Sequence, residues 1–179
     1  KGGDPLVFGR GGEEAEALAV AQIPFEIVPG ISSALAVPAY AGIPVTHRGL
    51  ATSFAVVTGT CAGTNSQPES LKALSQADTV VVLMGVAQLP DITRNLISAG
   101  RPANTPVAVI RWGTYGHQQT VTGTLDTIVH EVEQAGLTAP AVIVIGQVVT
   151  LRERIQWFEH CCRTETMPHD SSFPLLAIA

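Results

Sequence analysis

Four runs rich in valine and isoleucine, "FAVVT", "TVVVLMG", "PVAVIR" and "AVIVIG", set most of what this chain can become. A strand with one solvated face alternates apolar and polar residues. A run without that alternation suits a strand covered on both faces, as in sheets sandwiched between helices. The expected class is therefore α/β, with a sheet of largely parallel character.

The intervening segments fit that class. Glu13 to Ala21 carries good helix formers, with acid in the first turn where the helix dipole favours it. "FEIVPG" (Phe25 to Gly30) reads as a short strand stopped by Pro-Gly. "SSALAVPAYAG" reads as a helix capped by Ser32 or Ser33 and bent or ended near Pro38. Ile43 to Ser53 has no clear period and reads as a connector. Further helices are expected over Pro68–Gln76, Gln88–Ala99, Asp126–Gln134 and Leu151–Glu159, with a more polar strand in "QQTVTGTL". A boundary near Ala51 divides an incomplete α/β unit (residues 1–50) from a nearly complete α/β domain (51–158), with a tail at 159–179.

Composition narrows the partners. With 46% apolar and 14% charged residues, the chain belongs among ordered globular proteins. A net charge of −5 and no Lys/Arg cluster argue against a nucleic-acid partner. No apolar run approaches the roughly 18 residues that span a bilayer. Three cysteines, Cys61 and the pair Cys161-Cys162, make no disulfide framework, and the cytoplasm is the default compartment. His160, Cys161, Cys162 and His169 match no zinc spacing, so no metal is expected.

Several short stretches are candidates for chemistry. Asp4 ends the loop "GGDP", and it reads equally as a ligand acceptor or as a cap for its own turn. "PGISS", "VVVLMG" and "RWGT" each end an expected strand with a glycine, hydroxyls or Met84, where ligands of open α/β sheets gather. Ser32 or Ser33 reads also as a helix cap, Met84 as core, and the His47-Arg48 pair as a solvated loop. No G-x-S-x-G elbow, kinase signature or H-E-x-x-H is present.

Taken in order, "KGGDPLVFGRGGEEAEAL", "IPFEIVPGISSALAVPAYAGIPVTHRG", "VVTGT", "VVLMGV" and "AVIVIGQVV" resemble the uroporphyrinogen-III C-methyltransferases of the tetrapyrrole methylase family, from Lys1 to about Phe158. The resemblance is most specific in "GGDPLVFGRGGEE" and "PAYAGIPVTHRG". It implies a two-domain α/β fold with S-adenosyl-L-methionine in the cleft between the domains. Here the N-terminal domain would be incomplete, because the family's glycine loop follows about the first third of the enzyme.

The activity so implied is methylation of uroporphyrinogen III at C2 and C7, giving precorrin-2, the branch point to sirohaem and cobalamin. S-adenosyl-L-homocysteine is the second product. The same fold also serves other precorrin methyltransferases, and a truncated chain can be a non-catalytic module holding cofactor or tetrapyrrole. Carried over from the family, the cofactor contacts are Gly2, Gly3, Asp4, Val7, Ser32, Ser33, Met84, Gly113 and Ala141. Ser32 stands where the family usually has threonine. Arg48 and His47 would meet the carboxylates of the substrate. The family's proton-transfer residues lie ahead of the glycine loop, so no catalytic residue is assigned in this chain. A homodimer is expected by the same resemblance.

Overall fold

A computed structural model describes residues 1–63 and 68–158 of the chain. Helix α1 (Gly11–Val20) has Glu13 and Glu14 in its first turn and buries none of its residues. Helix α2 (Ser33–Tyr40) starts on Ser32, whose Oγ accepts the Ala34 N–H at 3.2 Å. It runs through Pro38 to Tyr40, two residues beyond the break expected at the proline.

The rest of the chain alternates strands and helices: β1 (Phe54–Thr58), α3 (Gly59–Ala62), α4 (Pro68–Gln76), β2 (Thr79–Leu83), α5 (Leu89–Ser98), β3 (Pro106–Arg111), β4 (Gln119–Thr124), α6 (Ile128–Gln134), β5 (Ala141–Ile145) and α7 (Arg152–Ile155). The five strands form one sheet in the order β1-β2-β5-β3-β4.

The period of two along each strand sends side chains alternately into two apolar layers. Val80, Val82, Val107, Val109, Ile143 and Ile145 pack with Leu89, Ile92 and Leu96 of α5 and Ile128 of α6. On the other face Val81, Leu83, Ala108, Ile110, Val142 and Val144 meet Ala34 and Val37 of α2, together with Ile43 and Val148. Each buried valine or isoleucine stabilises the fold by about 1.5–3 kcal/mol, which makes β2, β3 and β5 the spine of the molecule.

Three expectations are corrected. Only β1 and β2 run parallel; β2–β5, β5–β3 and β3–β4 are antiparallel. Val/Ile runs report burial on two faces and carry no information about strand direction. Phe25–Gly30 forms no ladder, because no other strand lies beside it among the described residues. Its Phe25, Ile27 and Val28 side chains are exposed. Helix α2 and Ile43, which precede Ala51, share an apolar layer with the sheet. The helix expected over Leu151–Glu159 is a 3₁₀ turn (Gln147–Leu151) followed by the short α7.

The tail at 159–179, with His160, Cys161, Cys162 and His169, lies outside the described residues. No helix among the described residues is long and apolar enough to cross a membrane.

Two polar side chains lock the edge of the sheet opposite the strand ends described below. Arg101 is buried, and its guanidinium donates to the carbonyls of Leu74, Ala77 and Asp78 at 3.1, 2.8 and 2.8 Å. Burial draws it below its ordinary value, with the Asp78 charge acting in the opposite sense.

The Asp78 carboxylate accepts the amides and hydroxyls of Thr52 and Ser53, all between 2.8 and 3.1 Å. These bonds, led by the Thr52 amide, hold Asp78 below the ordinary 3.8. A carboxyl held low in the fold adds stability above its unfolded value, and that share is lost as pH falls through the lowered folded value. Asp78→Asn is therefore expected to remove part of the acid limb of stability below about pH 4. Thermal midpoints that fall as steeply with acid in the variant as in the parent would assign that limb to other carboxyls.

Candidate functional site

The carboxyl ends of β2 and β3 and the amino end of β5 lie side by side, because β5 is antiparallel to both neighbours. A cleft of about 380 Å³ opens there. Its floor is Leu83 and Met84 at the end of β2, Ile110, Trp112 and Gly113 at the end of β3, and Pro140, Ala141 and Val142 at the start of β5. One wall is helix α2, through Ser33 and Val37. The other is the N-terminal loop, through Gly2, Val7, Phe8 and Gly9. The volume is within the range of small-molecule sites. Among the described residues no charged side chain lines it.

Three large apolar residues around the cleft hold left-handed backbone: Phe8 (φ 54°), Met84 (φ 55°) and Trp112 (φ 50°). Such a conformation costs roughly 1–3 kcal/mol per residue and concentrates at ligand clamps. Met84 is 67% exposed, so it is not the core residue that its position after a buried strand allows. Gly113 is required by packing as well: a Cβ there would lie 2.4 Å from the Val37 side chain.

Asp4 joins the N-terminal loop to the turn before α2. Its Oδ1 accepts the Leu6 amide at 2.8 Å and its Oδ2 the Gly30 amide at 3.1 Å. The two backbones are in close contact, since a Cβ on Gly30 would lie 2.2 Å from the Gly3 carbonyl oxygen.

Of the nine residues assigned to cofactor by resemblance, Gly2, Val7, Ser33, Met84, Gly113 and Ala141 line this one cleft. Gly3 instead borders a second hollow of about 540 Å³ between α1 and Phe25–Gly30. Asp4 works as the brace just described, and the Ser32 hydroxyl faces its own helix as the cap. His47 and Arg48 sit outside the cleft on an exposed turn closed by paired 2.9 Å hydrogen bonds between His47 and Ala51.

Phe8, Trp112 and Val37 were not foreseen as lining. Val37 stands one helical turn beyond Ser33, so the face was inferable from spacing. Phe8 and Trp112 gain their places from left-handed backbone, which no residue type announces.

The family profile described as "Tetrapyrrole (Corrin/Porphyrin) Methylases" matches residues 1–129. The chain belongs to the tetrapyrrole methylase family. A uroporphyrinogen-III C-methyltransferase of Bacillus subtilis is 49% identical over 160 residues, covering 89% of this tetrapyrrole methylase chain and 62% of the relative. A siroheme synthase of Methylobacillus flagellatus is 47% identical over 158 residues, 88% of this chain and 34% of that protein. The crystal structure of a Thermus thermophilus uroporphyrin-III C-methyl transferase complexed with S-adenyl homocysteine superposes with a TM-score of 0.70 at 34% identity. It covers 83% of this chain and 64% of that one. The methylase chain thus spans less than two thirds of the length of each of these relatives.

Proposed function

We propose that this chain forms the larger part of an S-adenosylmethionine-dependent uroporphyrinogen-III C-methyltransferase, which methylates C2 and C7 to give precorrin-2. The observation that carries the reading is the convergence of Gly2, Val7, Ser33, Met84, Gly113 and Ala141 on one uncharged cleft. The Thermus relative complexed with S-adenyl homocysteine supports the choice of ligand.

The donor set fits such a cofactor. Met84, Phe8 and Trp112 offer polarisable and aromatic surface for a purine, and Ser33 a hydroxyl. When bound, S-adenosylmethionine supplies an already electrophilic methyl group. What remains for this chain is to align that group with a nucleophilic carbon and to exclude water. The apolar floor of Leu83, Ile110 and Val142 serves the second task. Among the described lining residues none is an acid or base that titrates near neutral pH, so no proton-transfer role is assigned to this cleft.

Titration of S-adenosylhomocysteine by calorimetry tests the reading. Saturable heat is expected from the parent chain and none from Ser33→Trp, whose ring fills the cleft from the exposed first turn of α2. Equal heats from both would place the ligand elsewhere.

Uroporphyrinogen carries eight carboxylates, and Arg48 on its exposed turn is free to meet one of them bidentately. Arg48→Ala is expected to raise the KM for uroporphyrinogen by about tenfold, the value of one charged hydrogen bond, while cofactor affinity holds. A loss confined to cofactor affinity would assign Arg48 to the other ligand. The proposed assembly is a homodimer, which sedimentation at working concentration will check.

A further inference from the structure

Helix α2 ends on three consecutive carbonyls, and each receives a side chain from a distant part of the chain. Trp157 Nε1 donates to Ala39 at 3.0 Å, Gln118 Nε2 to Tyr40 at 3.3 Å, and Arg152 Nη1 to Ala41 at 2.6 Å. Trp157 and Arg152 anchor the helix end. Gln118 does more, because its Oε1 accepts the Thr114 amide at 2.9 Å. One buried amide group thus ties the loop between β3 and β4 to a helix 78 residues away.

That loop carries Trp112 and Gly113 into the cleft, and two of its residues, Trp112 (φ 50°) and Thr114 (φ 74°), hold left-handed backbone. It closes on itself through Tyr115 N–H to Trp112 O at 3.1 Å and Gln118 N–H to Tyr115 O at 2.8 Å. Strained backbone persists only where surrounding bonds over-determine it. The Thr114–Gln118–Tyr40 bridge joins this loop to α2 by hydrogen bonds, beside the packing of Gly113 on Val37, and the first two turns of α2 supply Ser33 and Val37 to the same cleft.

We propose that Gln118 is a positioning residue: it locks the Trp112–Gly113 floor of the cleft to helix α2, so that floor and wall hold one spacing for the ligand. The inference rests on the cleft being the cofactor site proposed above.

Gln118→Met keeps the length of the side chain and removes its bonds to Tyr40 and Thr114. Trp157→Phe is the control, since it removes a donor to the same helix end without touching the loop. Far-UV circular dichroism establishes that each variant is folded. In Gln118→Met the Thr114 amide is expected to exchange at least about tenfold faster, as the local bond is lost. S-adenosylhomocysteine affinity is expected to fall about tenfold, as a displaced floor loses its fit. Trp157→Phe should lower the thermal midpoint yet keep both readouts within about twofold of the parent.

Unchanged Thr114 exchange and affinity in Gln118→Met would overturn the proposal, as would an equal loss of affinity in Trp157→Phe. If the parent binds no S-adenosylhomocysteine, the cofactor reading falls by itself. The Thr114 exchange rate then still decides whether Gln118 holds the loop.

Discussion

Joining this chain to the segment that the family resemblance implies ahead of the glycine loop is expected to raise S-adenosylhomocysteine affinity by about ten- to a hundredfold. The reason lies in Phe25–Gly30. It is unpaired among the described residues and exposes Phe25, Ile27 and Val28, with Ile31 next to it in sequence and Leu6 of the N-terminal loop exposed as well. The Gly2–Asp4 loop is braced chiefly against this segment, through Asp4 to Gly30. A brace that is itself unsupported holds the binding geometry only part of the time, and apparent affinity falls by that fraction. Strands added beside Phe25–Gly30 would fix it, and precorrin-2 formation should rise with the affinity. Calorimetry and a turnover assay, on the chain alone and on the joined protein, supply the comparison. Equal affinity and full turnover from the chain alone would show that the loop needs no such support.

Gly30→Ala in the joined protein should have an effect of comparable size and opposite sign. The new methyl group would sit 2.2 Å from the Gly3 carbonyl oxygen, well inside contact distance, and the obstacle is backbone that no rotamer change can clear. The exposed Gly2–Asp4 loop must move, because it yields more easily than the turn that leads into the buried α2. Displacing a cleft wall by about 1 Å costs up to a hundredfold in binding or rate. Asp4→Ala should cost less, about tenfold, since it removes the hydrogen bonds of one carboxylate and leaves the close packing intact. The thermal midpoint should hardly move in either variant, as neither residue belongs to the apolar layers. Gly30→Ala with affinity within about twofold of the parent would remove the loop from the binding geometry.

These cases mark what could be read from residues alone. The central strands were legible because two-sided burial leaves a run with no polar alternation, as in Thr79–Leu83, where all five residues are buried. Their directions were not, since a valine buried on both faces is indifferent to whether its neighbour runs parallel. Phe25–Gly30 carries strand propensity, but a ladder needs a partner, which local sequence cannot supply. In the cleft, Gly2, Ser33, Met84 and Gly113 were legible through their motifs at loop and strand ends. Phe8 and Trp112 depend on backbone twist, and Gln118 on a contact spanning 78 residues; neither leaves a local pattern. Asp4 shows the converse, for the same residue type in the same loop serves as a brace or as a ligand acceptor.

The strand order β1-β2-β5-β3-β4 also governs the birth of the molecule. The strand that joins the two halves of the sheet, Ala141–Ile145, is the last of the five to be synthesised. Before it emerges, β1-β2 and the β3-β4 hairpin are separate ribbons, and the inner edges of β2 and β3 lie bare. At about 5–20 residues per second, translation from Thr124 to Ile145 leaves that gap open for roughly one to four seconds. Bare apolar edges are templates for pairing with other nascent chains. A ribosome stalled between β4 and β5 therefore holds a pair of sticky half-sheets, and arrival of the final strand converts them into one layer in a single zipping step.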